Sequence, residues 1–498
     1  ERTKKRQFQN DKIVFITKTH ERNWSLMETI IQQIAKKLIN KILEKAYSGG
    51  ISDIDALSSA VLGDCKEAAV EMIEEITVQL NRQIRNDKRR RKEEGLVLKE
   101  KERGRSLLTE LGRLAISRDY YYDKKNDEYV YLLDHVIGLR EYERVSDGVS
   151  AKLVSLATEV SYAKSAQIVA GGEVSRQSVR NSILRLGGIE KEVEVGKPKR
   201  RVKELHIFAD EDHVHMQKEG KEKGKKSKMV PLITVTEGVE EESKGRNRTK
   251  EAVHFVDEKF STKELWKSVE GYIGASYELD IVENIYVHGD GGQWIKNGLE
   301  NFSNVKRLMD GFHLEKRLKE AAGRFPNRNL RRRIKEAIEE DDRKKLDRII
   351  QSLCEASEDG KDKEFVSELG KYLFGNYEAI RNRMIYGEVG SCTEGQVSHI
   401  LSERFSRDPL GWSEEGLGKL TKQRIYIKNR GKIEARDFKD KDRGKGSYGE
   451  YAERIIEDAC EGAIDFSIFE RREPVFDGSS GTQTLIRSLS MNRGIPLS

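Results

Sequence analysis

The sequence has few cysteines and no long apolar run, and both absences restrict what the protein can be. Its four cysteines lie far apart and form no Cys-x-x-Cys pair, at Cys65, Cys354, Cys392 and Cys460. Neither a zinc ribbon nor a disulfide framework fits that spacing, so we expect reduced thiols. No run approaches the ~18 apolar residues of a membrane-spanning helix, and the charged start lacks the apolar stretch of a signal peptide. These features predict a cytoplasmic protein without a membrane partner.

The chain is long and highly charged. Its 498 residues are too many for one hydrophobic core, since single domains usually hold about 100–200 residues. We therefore expect several modules. Lys and Arg number 92 against 86 Asp and Glu, for a net charge of +6, and the basic residues are clustered. The clusters are Lys88–Lys92, Lys197–Arg201 and Lys221–Lys228. Each either lies along a phosphate backbone, where neutralised phosphates release counterions, or is a solvated helix face or loop.

The N-terminal part shows a helical pattern and then a hairpin pattern. Apolar residues from Trp24 to Gln83 recur at helical spacing. From Leu107 the pattern changes, because two tyrosine-rich apolar segments, 113–122 and 129–133, lie on either side of Asp123 to Asp127. Apolar segments around a short polar turn predict a β-hairpin.

A second helical block is interrupted by Gly171-Gly172, with Ser175 as the expected N-cap of its last helix. Two short helices around a glycine turn predict a helix-turn-helix. In the second of these helices Val179, Ile183 and Leu186 would pack inward. The residues that face outward, where they could reach DNA, are Arg176, Gln177, Arg180 and Asn181. The alternative is an ordinary helical hairpin that touches no nucleic acid.

The next stretch alternates strands and helices. Three consecutive strands are predicted first, then a helix, a fourth strand, a short helix, a fifth strand and a long helical region. These elements are predicted at residues 205–217, 230–239, 252–260, 261–278, 281–288, 294–302, 305–309 and from 312 onward. The order fits an RNase H-like fold, a mixed five-stranded sheet with helices, within an α+β multidomain chain.

Together these patterns predict seven regions. They are a helical N-terminal region (1–104), a β-hairpin region (105–149), a helix-turn-helix DNA-binding region (150–196), the first part of an RNase H-like catalytic core (204–313), a helical insertion (314–390), the last core helix (391–430) and a C-terminal tail (431–498). The insertion carries basic runs, so we expect it to grip DNA. The Gly- and Ser-rich tail after Glu473 is expected to be disordered, and the start at Glu1 suggests an incomplete or processed N-terminus.

Two acids are predicted to meet in this core. Asp210 lies in the first strand, which is central in that topology, and Asp290 closes the neighbouring fourth strand. Close carboxylates repel each other, and a site that tolerates them usually binds a hard divalent cation such as Mg2+. Two such ions about 3.5–4 Å apart support in-line phosphoryl displacement, which needs a third carboxylate. The alternatives are an acidic turn at Asp210 and a plain Asp-Gly turn at Asp290.

Three motifs carry a resemblance to a known family. They are His288-Gly289-Asp290-Gly291-Gly292-Gln293-Trp294-Ile295, Asp310-Gly311-Phe312-His313 and Ser391-Cys392-Thr393-Glu394-Gly395-Gln396-Val397-Ser398-His399. In this order, they resemble the ISLre-type insertion-sequence transposases, distant relatives of the Mutator-type DDE transposases. The resemblance implies a DDE transposase that binds insertion-sequence ends and catalyses metal-dependent DNA cleavage and strand transfer. It further implies two Mg2+ or Mn2+ ions, double-stranded DNA at element ends and target, and a homo-oligomer in the synaptic complex.

Carried over to this chain, the family pattern implies three catalytic and metal-binding acids. Asp210 is the first, Asp290 the second, and Glu394 the third, borne on a helix. Glu388 and Glu403 compete with Glu394, whose alternative role is a first-turn glutamate that complements the helix dipole.

Three more residues are expected beside these acids. Asp212 lies two residues after Asp210, on the same face of the strand, so it either replaces Asp210 or assists it. Asp310 and His313 lie where the fifth strand meets its helix, where they would support the metal ligands or position DNA. For His313, the alternative is a structural hydrogen bond in the core.

Two other functions fit the same sequence. An RNase H-like nuclease would cleave DNA without joining ends. A domesticated, non-catalytic DNA-binding protein would use only the segment from Arg176 to Asn181. The presence of all three acids argues against a decayed site.

Overall fold

The computed structural model describes residues 30–47, 53–189, 198–217, 227–243, 246–300, 302–326, 329–387, 392–408, 410–438 and 448–461. The chain divides into two compact units. Unit 1 comprises the described residues within Glu1–Val145 and Asp440–Ser498, and unit 2 those within Ser146–Lys439. No helix in these stretches is long and apolar enough to cross a bilayer. The segment after Glu473, predicted to be disordered, lies outside them.

Helices and strands are numbered in chain order. The helices are α1 (30–47), α2 (Ile54–Asn86), α3 (Lys88–Glu93), α4 (Leu132–Val136), α5 (Asp147–Ala157), α6 (Tyr162–Ala170), α7 (Arg176–Leu186), α8 (Thr262–Ser276), α9 (Gln293–Gly298), α10 (Gly311–Arg324), α11 (Leu330–Glu339), α12 (Arg343–Glu355), α13 (Gly360–Gly375), α14 (Tyr377–Tyr386), α15 (Cys392–Val397), α16 (Glu403–Phe405), α17 (Glu414–Lys428) and α18 (Gly449–Glu461). The strands are β1 (Leu96–Thr109), β2 (Gly112–Asp123), β3 (Glu128–Val130), β4 (Glu204–His215), β5 (Ser227–Thr236), β6 (Val239–Ser243), β7 (Arg246–Thr249), β8 (Val253–Phe255), β9 (Asn284–Gly289) and β10 (Val305–Met309). A π-helical turn (Ser398–Ser402) joins α15 to α16.

Unit 1 is built on a three-stranded sheet in the order β1-β2-β3. Inward side chains of β2, such as Ile116 and Tyr121, pack in one cluster with Ile84 of α2 and Tyr451 of α18. The predicted hairpin is confirmed, because β2 and β3 pair antiparallel around a short polar turn. Burial of one sheet face against helices is what stabilises so small a sheet.

Two predictions for unit 1 are wrong. The helical region does not extend to residue 104, because β1 begins at Leu96 and pairs with β2 as far as Thr109. Most side chains from Lys99 to Gly104 are exposed, so this strand carries no alternation of apolar residues, and backbone pairing holds it instead. The hairpin also does not continue through residue 133, since Leu132 and Leu133 are fully buried in the core as part of α4.

The predicted C-terminal tail contains a packed helix. Tyr451 and Ile455 of α18 are buried in the unit 1 core. Just before this helix, the Tyr448 hydroxyl lies 2.7 Å from Oδ2 of Asp123 and 2.9 Å from Oε1 of Glu128. This part of the tail therefore belongs to unit 1, a long-range contact that sequence periodicity cannot reveal.

Unit 2 contains a mixed sheet of five strands in the order β10-β9-β4-β5-β8. β4 pairs antiparallel with β5, and β5 with β8, whereas β4, β9 and β10 run parallel. The five predicted strands are confirmed, with β4 in the centre as expected. The short antiparallel pair β6 and β7 was not predicted.

Helix α8 covers one face of this sheet. Ser261 caps α8 by accepting the Glu264 N–H at 3.3 Å, and Trp266, Val269 and Ile273 recur at helical spacing on its buried face. They pack on Ile207 and other apolar residues of the strands. The predicted insertion is helical, from α10 to α14, and has its own apolar core, which reaches the sheet at Met309 of β10.

Buried arginines join α5 to α7 with the C-terminal helices of unit 2. Arg404 donates to the Ala157 carbonyl oxygen at 2.9 Å, and Arg424 to that of Thr158 at 2.6 Å. Gln423 donates to the Ile183 carbonyl oxygen at 2.9 Å. The two arginine bonds satisfy carbonyl groups at the end of α5, where the helix itself supplies no donor, whereas the Ile183 carbonyl oxygen also accepts the Gly187 N–H at 3.2 Å. The three-helix group is therefore firmly held within unit 2.

Candidate active site

The carboxyl ends of three parallel strands meet at one edge of the unit 2 sheet. β4 pairs with β9 up to Phe208 and His288, and β9 pairs with β10 up to Gly289 and Met309. An aspartate lies just beyond the last parallel-paired residue of each strand. These are Asp210 within β4, Asp290 directly after β9 and Asp310 directly after β10.

Asp210 is buried and shares its surroundings with Asp290. Asp210 is 7% exposed, and burial raises the pKa of its carboxyl to about 7. Two contacts oppose this rise in the pKa: the Glu211 N–H, which donates to Oδ1 at 2.9 Å, and the charge of the His313 ring. The negative charges of Glu211 and Asp290 raise the pKa further. The structure therefore brings Asp210 and Asp290 close enough for the charge of one to disfavour ionisation of the other.

The loop after β9 holds Asp290 at the sheet edge. Its Oδ1 accepts the Gly292 N–H at 2.8 Å. A Cβ on Gly289 would lie 3.0 Å from the Ala209 carbonyl oxygen and 2.7 Å from Cδ1 of Ile295, so only glycine lets the strands approach this closely. The turn expected as the alternative for Asp290 is present, and it orients the carboxylate.

Asp310 is joined to the acidic edge through His313. Its Oδ2 accepts the His313 N–H at 3.1 Å and lies 3.0 Å from Nδ1 of the same residue. Burial by itself raises the pKa of Asp310, but these hydrogen bonds hold it below its usual value. The hydrogen bond to Asp310 raises the pKa of His313, and the charges of Asp310, Asp210 and Asp290 add to that shift. The acids around His313 thus favour the protonated form of its ring.

Sequence reasoning missed Glu211. Its Oε2 accepts the indole N–H of Trp294, on α9, at 2.9 Å. Burial raises the pKa of its carboxyl; the Trp294 bond opposes the shift and the charge of Asp290 adds to it. Strand alternation directs Glu211 to the face opposite Asp210, so a search for acids on one face of the strand does not find it. The available signal was its place between two aspartates, together with the tryptophan that follows the glycine loop.

Asp212, the rival for the first acid, is half-buried further along β4. Its Oδ2 is buried and has no hydrogen-bond partner among the described residues. A buried carboxylate oxygen without a donor is costly unless a cation or water occupies the space beside it. The position on β4 is compatible with assisting Asp210.

The helix that carries Glu394 reaches the same strand. α15 packs against β4, and so does the π-helical turn that follows it. The side chain of Glu394 lies outside the described side chains, and Glu388 outside the described residues. Glu403 lies on α16, with its Oε1 2.9 Å from Nδ1 of His399 and its side chain 40% exposed. The structure thus brings the helix of Glu394 to β4, the strand that carries Asp210.

The carboxylate oxygens at this edge are suitable ligands for a hard divalent cation. Asp210 and Asp290 supply carboxylate oxygens, the ligands that Mg2+ and Mn2+ prefer. Burial raises the pKa of Asp210, an effect that a bound cation would offset, and Asp212 has an oxygen without a donor. Among the described side chains no three His, Cys, Asp or Glu residues form a ligand group, and Glu394 is not one of those side chains.

Helix α7 presents the predicted DNA-facing side chains. Val179 and Ile183 are fully buried, whereas Leu186, predicted to pack inward with them, is only half-buried. Ser175 is the N-cap, as predicted, and accepts the Ser178 N–H at 3.1 Å. The outward side chains are Arg176, Gln177 and Asn181, which are exposed, and Arg180, which is half-buried.

Comparison with known proteins gives one consistent family. A profile of the Uncharacterised protein family (UPF0236) matches residues 50–442. In Caldanaerobacter subterraneus subsp. tengcongensis, UPF0236 protein TTE1650/TTE2708 is 34% identical over 454 residues, which are 88% of this chain and 88% of the relative. UPF0236 protein TTE2489 of the same organism is 37% identical over 385 residues, 76% of this chain and 79% of the relative. The UPF0236 protein in the vanSb 3'region of Streptococcus gallolyticus is 24% identical over 311 residues, 59% and 66% of the two chains. The chain belongs to the UPF0236 family.

Proposed function

We propose that this protein is a DDE-type transposase, similar to the ISLre-type enzymes, that binds insertion-sequence ends, cleaves DNA there and joins the ends to target DNA. One observation carries the proposal. Asp210, in the middle of β4, and Asp290, directly after β9, lie just beyond the parallel pairing of these adjacent strands, and the helix bearing Glu394 packs on β4. Acids of this type at one sheet edge suit metal-dependent phosphoryl transfer.

The sheet supports an RNase H-like core. Three antiparallel strands, β4, β5 and β8, are followed by two strands that add in parallel on the other side of β4. This is the order that the sequence predicted for such a core. It also explains how acids far apart in the chain come to one edge.

The side chains have distinct parts in the proposed reaction. Two divalent cations, Mg2+ or Mn2+, would activate the attacking oxygen and stabilise the leaving one. Asp210, Asp290 and Glu394 would hold these ions. His313, oriented by Asp310, would donate to a DNA phosphate entering at this edge.

The proposal assigns DNA binding to two surfaces. Helices α6 and α7 would act as a helix-turn-helix, with Arg176, Gln177, Arg180 and Asn181 reading the element end. The insertion would grip the phosphate backbone through exposed cations such as Arg332. Because two ends must be brought together before joining, we also propose that the protein works as a homo-oligomer.

The names of the relatives lend further support. One UPF0236 name joins eleven designations from a single strain, TTE0033 to TTE2212. Several copies of one gene in a genome are what a mobile element leaves behind. This observation agrees with transposition.

The test uses the full chain with labelled duplex DNA that carries one element end, a target plasmid and Mg2+. The wild type should cleave the duplex and join it to the plasmid, whereas Asp210→Asn and Asp290→Asn should do neither and still bind the duplex. Cleavage without joining would favour the simple nuclease. Binding without cleavage by the wild type would favour the non-catalytic protein, and either outcome would overturn the proposal.

A further inference from the structure

The loop that carries Asp290 rests on a side chain of the helical insertion. Asn376 lies between α13 and α14 and is 7% exposed. Its backbone N–H and its Nδ2 both donate to the Tyr372 carbonyl oxygen, each at 3.1 Å. The remaining side-chain polar atom, Oδ1, is buried without a hydrogen-bond partner among the described residues. Buried oxygens are rarely left in this state, so the position of this one requires an explanation.

Oδ1 of Asn376 points at Gly291, the residue after Asp290. A Cβ on Gly291 would lie 2.8 Å from Cγ of Asn376 and 2.9 Å from its Nδ2, with Oδ1 nearer still. Gly291 also has a φ of +88°, which other residues rarely adopt. Both the conformation and the close contact therefore require glycine. The shape of the Asp290 loop is matched to the insertion.

Tyr372 lies one helical turn before Asn376, and its hydroxyl is also buried without a partner among the described residues. Burial raises the pKa of Tyr372, and the negative charges of Asp290 and Asp310 add to the shift. The hydroxyl therefore keeps its proton and is a donor in the field of these two acids. Two buried oxygens at one helix end thus have no partner among the described residues, and that of Asn376 lies against the Asp290 loop.

The junction of α13 and α14 is anchored to the sheet. Asn382 donates from Nδ2 to the Arg307 carbonyl oxygen at 3.1 Å, and Arg383 donates to that of Met309 at 3.0 Å, both on β10. On the other side, Nζ of Lys296, on α9, lies 3.4 Å from the Gly375 carbonyl oxygen. The position of Asn376 relative to Asp290 is therefore set by bonds to both neighbours of the loop.

We propose that Tyr372 and Asn376 are positioning residues that hold the Asp290 loop in the shape that binds a divalent cation. Asn376 acts by contact with Gly291, and Tyr372 by the unpartnered hydroxyl that it buries one helical turn before Asn376. The insertion thereby builds part of the metal site, in addition to any contact with DNA. This inference rests on the proposed metal-dependent function.

The test measures Mn2+ binding to the full chain from the electron paramagnetic resonance signal of free Mn2+. Loss of a residue that supports a metal ligand weakens metal affinity by about 10-fold to 100-fold, and this loss is expected for Asn376→Ala and for Tyr372→Phe. Asn382→Ala is the matched control, because it removes one anchor of the same insertion, while the bonds of Arg383 and Lys296 still hold Asn376 in place. It should bind Mn2+ like the wild type.

The outcomes separate this inference from the proposed function. If Asn376→Ala and Tyr372→Phe bind Mn2+ like the wild type, the inference fails and the metal site stands. An equal loss in Asn382→Ala would also overturn it, because docking of the insertion would then explain the effect. If the wild type binds no more Mn2+ than Asp290→Asn, the proposed function fails as well. Should Asn376→Ala not fold, Tyr372→Phe decides, since it removes a single unpartnered oxygen.

Discussion

Trp294 donates its indole N–H to Oε2 of Glu211 at 2.9 Å. The bond joins α9 to β4, beside Asp210. A second tryptophan lies behind it, because Trp266 of α8 donates its own indole N–H to the Trp294 carbonyl oxygen at 3.2 Å. Two tryptophans thus connect three elements around the acidic edge, and only the first of them bonds to an acid of the candidate site.

Replacing Trp294 by Phe should lower DNA cleavage about 10-fold while DNA affinity stays unchanged. The lost bond has a carboxylate acceptor, and such bonds are worth about 1.5–3 kcal/mol. Trp266→Phe is the matched control, because it removes an indole N–H that serves a carbonyl group, and it should reduce cleavage less. Cleavage rates and binding isotherms on the same duplex give both quantities. Equal losses in the two variants would remove Glu211 from the account.

The outward face of α7 should read sequence. Replacing Arg176 and Arg180 by Ala should weaken binding to an element end by about 1–3 kcal/mol for each lost base contact, and should weaken binding to random duplex much less. Arg185→Ala provides the control, because Arg185 lies on the same helix but is paired with Asp147 at 2.8 Å. Competition binding at one fixed salt concentration measures the difference. Equal weakening on both DNAs would indicate phosphate contacts only.

Two glutamates, Glu394 and Glu403, compete for the role of the third metal-binding acid. Glu394→Gln should abolish cleavage as fully as the aspartate substitutions, because α15 packs on the strand of Asp210. Glu403→Gln should keep most of the activity, since Glu403 lies beside His399 on a half-exposed surface. Cleavage assays with both variants at saturating Mg2+ compare them. An active Glu394→Gln and an inactive Glu403→Gln would move the third ligand to the later turn.

The parts of the fold that were predictable are those with local signals. The run from Leu205 to Ala209 is apolar except for His206 and is followed by acids, so β4 could be placed from the sequence alone. β1 has no such pattern, because half of its side chains are exposed to solvent. Backbone pairing with β2 holds this part of the strand in place. Asn376 could not be found at all. Its role depends on packing against a loop far away in the chain, and neither periodicity nor motif spacing records that contact.

A buried histidine should make unit 2 sensitive to acid. Burial lowers the pKa of His254 to about 4, and its Nδ1 lies 2.8 Å from the Thr234 hydroxyl. In the unfolded chain its pKa is near 6.5, so the unfolded state binds a proton first and stability falls as the pH drops from about 6.5 towards 4. Between pH 7 and pH 5 the cost is about 2 kcal/mol.

The matched variant for this effect is His254→Asn, whose amide oxygen can replace Nδ1 as an acceptor and does not titrate. Urea unfolding of both proteins at the two pH values measures the free energy of unfolding. The wild type should lose about 2 kcal/mol more than the variant on acidification. Equal losses would show that His254 is not the group that titrates.

The position of a bound metal ion is the sharpest test of the proposed metal site. Crystals of the full chain grown with Mn2+ can be measured at a wavelength where Mn2+ scatters anomalously, so that the ion is located without assumptions about its ligands. The account predicts an anomalous peak within coordination distance of carboxylate oxygens of both Asp210 and Asp290, with Glu394 turned towards it. A peak elsewhere, or none at this edge in crystals that hold Mn2+ at other sites, would contradict it.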